Sequence, residues 1–149
     1  MSATGLEVFD KTLQTTNIWL DEIMREIGPD RNVAWLMFGA ALRTLRDRLT
    51  VGLAAHLGAQ LPLLIRGVYY DQWRPSELPV RMRSEQEFLE CVAQELKDTR
   101  PVNPKKAVKS VFHVLNHHVD PNQVANVRDA LPHDVRALWP VGGPAGRAA

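Results

Sequence analysis

A single cysteine, Cys91, in 149 residues excludes an intramolecular disulfide and offers no cysteine pair for metal or redox chemistry. Excess charge is also missing. The formal net charge is +1 and is divided evenly along the chain, which argues against a nucleic-acid partner held mainly through phosphates. No apolar stretch approaches the roughly 18 residues of a membrane span, and no apolar run follows a basic N-terminal segment. Neither a membrane helix nor a secretory leader is therefore expected, and the expected location is the cytoplasm. Alternating strand patterns are absent, as is any H-E-x-x-H motif.

What remains has the balance of a soluble globular protein, with 45% apolar and 23% charged residues. The length fits one domain or two small lobes. A half of that length is marginal alone, because small chains bury too little surface on folding, so two halves sharing a core are favoured.

One stretch occurs twice. Leu61-Pro62 with Ile65, Arg66, Val68 and Tyr69 is matched at a constant offset of 70 residues by Leu131-Pro132 with Val135, Arg136, Leu138 and Trp139. The repeated positions are mostly apolar, so they suggest a structural unit rather than a reaction centre.

Helical spacing runs through both copies. Leu6, Phe9, Leu13, Thr16, Leu20, Ile23 and Ile27 recur every three or four residues up to the stop at Gly28-Pro29. The weak patch at residues 15–17 predicts a start near Leu13. Trp19 and Met24 widen that face. Asp30 caps a second helix reaching about Leu49, with Ala34, Phe38, Ala41, Leu42 and Leu45 inward and Arg43, Arg46, Asp47 and Arg48 on the solvated side. Thr50 caps a short helix, and Pro62 opens another that ends near Tyr70.

A loop and an extended linker follow. Ser84 and Glu87 have capping-box spacing before a helix carrying Phe88, Leu89, Val92 and Leu96. Asn103-Pro104 and Asp120-Pro121 each start a helix, the first with Ala107, Val108, Val111, Phe112, Leu115 and Val119 inward, the second with Val124 and Val127. The last short helix follows Leu131-Pro132. The predicted fold is all-α: two tandem four-helix repeats of about 70 residues packed into one compact helical domain. The first repeat covers residues 1–75, a linker 76–83 and the second repeat 84–140. Residues 141–149 are expected to form a disordered tail.

Residues 16–20 (Thr-Asn-Ile-Trp-Leu), 42–49, 56–62, 66–70 (Arg-Gly-Val-Tyr-Tyr), 73–75, 127–132 and 136–140 (Arg-Ala-Leu-Trp-Pro) resemble a bacterial family known as domain of unknown function 2267. The resemblance covers nearly the whole chain except the tail. It implies a small, helical, duplicated protein of the bacterial cytoplasm and carries over no reaction, cofactor or catalytic residue.

Few side chains suggest chemistry. His113 and His117 are four apart on a predicted helix, a spacing that can direct two imidazoles at one metal, with His118 and Asp120 nearby. The alternative is that they line the wet side or the helix C-terminus, where a partly charged histidine suits the dipole. Cys91 falls mid-helix and reads as a small packing residue rather than a nucleophile. Arg66 and Arg136 could grip a carboxylate or phosphate, but their presence in both copies favours closing a helix end through carbonyls. Tyr69 matches Trp139 and reads as a core anchor. Tyr70 and Trp73 lack aromatic counterparts and, with Arg74, form the asymmetric patch best suited to a partner. Lys105, Lys106 and Lys109 read as a solvated face.

These readings favour a non-enzymatic helical interaction or regulatory protein, partnered by itself as a homodimer or by another protein. The candidate binding surface is Arg66, Tyr70, Trp73, Arg74 and Arg136. No catalytic, cofactor-binding or metal residue is assigned, and neither nucleic acid nor membrane is expected as a partner. The alternative is a small-ligand or metal-ion sensor with its site between the repeats. An enzyme is the third reading and requires His113, His117 and Asp120 to converge.

Overall fold

The computed structural model describes residues 2–99 and 102–140; the tail predicted at 141–149 lies outside them. Among the described residues there are eight α-helices and no strand: α1 (Glu7–Ile27), α2 (Arg31–Arg48), α3 (Val51–Ala59), α4 (Leu63–Tyr70), α5 (Glu85–Glu95), α6 (Pro104–His118), α7 (Pro121–Ala130) and α8 (His133–Arg136). A 3-10 turn, Pro75–Glu77, interrupts the predicted loop after α4. No helix is long and apolar enough to cross a membrane among the described residues.

Caps account for most helix starts, because the first backbone N–H groups of a helix need acceptors. Asp30 accepts from the Val33 N–H, Thr50 from Leu53, Asn103 from both Lys105 and Lys106, and Asp120 from Asn122. Ser84 and Glu87 form the full capping box that their spacing predicts.

The first helix corrects the expectation of a start near Leu13, since it begins at Glu7. Two local devices outweigh the poor helix formers at 15–17. Glu7 and Asp10 place negative charge in the first turn, where the helix dipole favours it. Asp10 also gathers the preceding chain, accepting from the Thr4 hydroxyl at 2.8 Å and the Thr4 N–H at 3.1 Å.

One apolar core runs through both halves of the chain. The helices α2 and α6 pack on each other, and both α1 and α5 touch that pair. Contacts between the halves include α1 on α6, α5 on α2, and α3 on α7. Phe38, Leu42 and Leu45 from α2 and Val108, Phe112 and Leu115 from α6 are essentially inaccessible to solvent. Each such large side chain contributes about 1.5–3 kcal/mol by leaving water. Positions 70 apart are buried alike, as in Leu42 and Phe112, Leu45 and Leu115, Leu57 and Val127, and Ile65 and Val135.

Residues 80 and 82 are tied to the end of α2. Val80 donates its N–H to the Asp47 carbonyl at 2.7 Å, and the Arg48 Nε donates to the Met82 carbonyl at 3.0 Å. Met82 itself is buried.

The arginines of α2 depart from the solvated face predicted for them. Arg46 is only 3% exposed; its Nη1 donates to the carbonyls of Tyr69 at 2.8 Å and Asp71 at 2.7 Å, and its Nε to Asp47 at 2.8 Å. Arg43 pairs with Glu95 of α5 at 2.8 Å. The physical reason is that α4 ends against α2, and its last carbonyls have no helical partner. A guanidinium, with several N–H donors on a long stem, supplies them.

Candidate functional site

The five residues expected to form a binding surface divide into two kinds. Arg66 and Arg136 are committed to the backbone. The Arg66 Nη2 donates to the carbonyls of Ala59 at 3.3 Å and Leu61 at 2.8 Å, and the Arg136 Nη2 to those of Asp129 at 3.4 Å and Leu131 at 3.1 Å. Each arginine therefore ties a short helix to the turn that precedes it. The carbonyls belong to the preceding helix and turn, not to the arginine's own last turn.

Tyr70 and Trp73 are half-buried, their ring centroids 5.1 Å apart and their planes tilted by 42°. Tyr70 lies over Gly58 of α3, so closely that a methyl group at Gly58 would meet its hydroxyl. At the same offset of 70, Arg128 stands where Gly58 does and Pro140 where Tyr70 does. Trp73 packs against the core, and Arg74 points outward, its side chain 78% exposed and 3.9 Å from Glu77. An exposed pair of that kind contributes little.

A polar cleft of about 320 Å³ opens beside these residues, lined by Arg43, Arg46, Asp47, Arg74, Glu77 and Glu95 among others. Its cations and anions are equal in number, and its arginines already have partners. Cys91 sits half-buried on α5. Burial, then the charges of Asp47, Glu87, Glu90 and Glu95, push its thiol up from the ordinary value. That is the opposite of nucleophile activation.

The histidines of α6 meet α1. His117 Nδ1 lies 2.9 Å from Glu22 Oε1, His118 Nε2 lies 2.6 Å from Glu22 Oε2, and His113 Nδ1 lies 3.1 Å from Glu26 Oε2. The His118 ring stacks on Trp19, centroids 4.8 Å apart and planes 15° apart. A second cleft of about 290 Å³ is lined by Glu22, Arg25, Glu26, His113, Val114 and His117. Burial works to raise the Glu22 pKa, but the hydrogen bonds from His117 and His118, with their charge, outweigh it and hold the carboxyl below the ordinary glutamate value.

Of the histidine group named from sequence, His113 and His117 share this face, His118 joins them, and Asp120 does not. Asp120 is occupied at the start of α7, accepting from the Asn122 N–H at 3.1 Å. Glu22, which organises the cluster, carried no signal in the sequence: it lies 95 residues from His117, and no local pattern pairs them.

A different kind of surface lies at the start of α1. Leu6, Phe9 and Leu13 continue the face that carries buried Thr16 and Leu20, yet are 51%, 48% and 43% exposed. The start of α4 abuts this turn, where the Leu64 N–H donates to the Thr12 hydroxyl at 3.1 Å. Leu63 and Leu64 are exposed beside it.

Residues 16–138 match the model of the family described as Uncharacterized conserved protein (DUF2267), and the chain belongs to that family. No curated protein matches it.

Proposed function

We propose that this member of the DUF2267 family is a non-enzymatic interaction protein that pairs with a second copy of itself through the first turns of α1 and the start of α4. The observation that carries this reading is the exposed apolar group formed by Leu6, Phe9, Leu13, Leu63 and Leu64. Apolar side chains scattered singly need no explanation, but a helix stripe that runs out of the core into solvent marks an association surface. The stripe has ordinary helical spacing, with Glu7 and Asp10 beside it in the first turn. Two copies laid face to face bury the same residues on both sides, the self-complementary arrangement of a twofold dimer.

The four-helix units 1–75 and 84–140, joined by 76–83, are read as tandem copies. Support comes from like burial at the offset of 70 and from Arg66 and Arg136 making equivalent bonds. A second reading, an ion sensor between the halves, draws on the meeting of Glu22 with His117 and His118.

Light scattering coupled to size exclusion tests self-pairing. The wild-type chain is expected at twice its 16.8 kDa mass at tens of micromolar, the range in which a micromolar Kd is populated. Leu13→Glu is expected to run as a monomer with unchanged helical content. A wild-type monomer at that concentration, or a dimer unaffected by Leu13→Glu, refutes the reading.

A further inference from the structure

We propose that Glu22, His117 and His118 form a binding site for one divalent transition-metal ion of the zinc class, held between α1 and α6. The three side chains present one donor atom each, and these atoms all lie within 4.8 Å of one another. A zinc ion at about 2.0–2.2 Å from each ligand sets donors about 3–4 Å apart, so the Glu22 contacts, now hydrogen bonds of 2.9 and 2.6 Å, open slightly and the widest donor pair, within 4.8 Å, closes.

Adjacent residues on a helix diverge by about 100° and rarely address one point. His117 and His118 do so by using different atoms. His117 offers Nδ1, close to its backbone, and His118 offers Nε2, at the far end of the ring. The difference in reach compensates the difference in direction. Glu22 faces both, one carboxylate oxygen to each ring.

Donor chemistry selects the ion. Two imidazole nitrogens and one carboxylate oxygen suit zinc and its transition-metal neighbours, whereas calcium and magnesium take oxygen ligands. Three protein ligands leave a fourth position, and the adjoining cleft of about 290 Å³ has room for water or for the Glu26 carboxylate that now holds His113. The site is supported behind the ligands as well. Trp19 stacks on His118 and fixes the plane of its ring. Burial is graded, with the Glu22 and His118 side chains 16% and 22% exposed and His117 open to solvent. An ion bound here bridges a helix of the N-terminal half to one of the C-terminal half.

The test uses the full chain, stripped of metal, titrated with zinc by calorimetry and with cobalt by visible absorption. One ion per chain is expected, with a Kd of about micromolar or tighter and a rise in Tm on adding zinc. His117→Ala and Glu22→Ala are expected to weaken binding at least about tenfold, one factor of ten in the binding constant, and His133→Ala to leave it unchanged. His117 is exposed, so its loss reports on the ligand set even where Glu22→Ala perturbs folding. Leu13→Glu, which separates paired copies, is expected to bind zinc as the wild type does. No wild-type binding at about 100 μM zinc, far above such a Kd, overturns the proposal. Binding retained in full by His117→Ala overturns it equally.

Discussion

Arg66 and Arg136 each reach back, with the same nitrogen, to two carbonyls that their turn leaves unpaired. A charged donor to a part-buried carbonyl contributes about 1.5–3 kcal/mol, more than a neutral hydrogen bond. Arg66→Ala and Arg136→Ala are therefore each expected to lower unfolding free energy by about that much, read by urea denaturation, with lysine restoring only part because it lacks the planar fork. Stability unchanged by either substitution would contradict the role. These two arginines could be read from sequence because the chain carries them twice. Arg46 could not. Its neighbours on α2 are charged, and nothing local says that α4 will end against it. Asn116, 70 residues later, serves the second half, donating to the Pro140 carbonyl at 2.8 Å and accepting from Trp139 Nε1 at 2.6 Å. The two residues stand 70 apart and differ in chemistry, so residue matching alone does not connect them. Glu22 was hidden for the same reason, since its meaning depends on where α6 lies.

Helix starts were the easiest features to read, because a cap is a local device of three or four residues. Ser84 and Glu87 show how local it is. The Arg83 and Ser84 backbone N–H groups hold the Glu87 carboxyl below the ordinary glutamate value. A carboxyl lowered on folding stabilises the fold at pH above its unfolded value and loses that contribution as pH falls through its folded value. Glu87→Gln, which keeps an acceptor for the cap, is accordingly expected to flatten the acid limb of stability against pH, followed by circular dichroism. An acid limb as steep as the wild type's would show that the box owes nothing to charge. The start of α1 was harder, since residues 15–17 are poor helix formers and the stabilising contacts of Asp10 come from outside the helix. The rule that failed was propensity, overridden by the acidic first turn.

Eight helices follow from periodicity and caps, but their partners do not. That α1 packs on α6 and α5 on α2 is a pairing across the chain with no trace in local spacing. It has a consequence for stability. The facing surfaces of α5 and α6 are supplied by the other half, so a chain of residues 84–140 alone is expected to show little helical signal. The full chain is expected to unfold in one cooperative transition. A helical, cooperatively melting fragment would mean that the halves are independent lobes. Beside the start of α4, the first turns of α1 leave Phe9 and Leu13 largely in water. Residue type points instead to a partner surface at Arg66, Tyr70, Trp73, Arg74 and Arg136. In the fold Tyr70 and Trp73 stay half-exposed while packing on the core, and the α1 stripe is a second open surface. Isotope-filtered NMR on an equal mixture of labelled and unlabelled protein distinguishes the two surfaces. Intermolecular contacts are expected from the methyl groups of Leu13, Leu63 and Leu64 and the ring of Phe9. Contacts centred on Trp73, or none at all, would contradict pairing through α1.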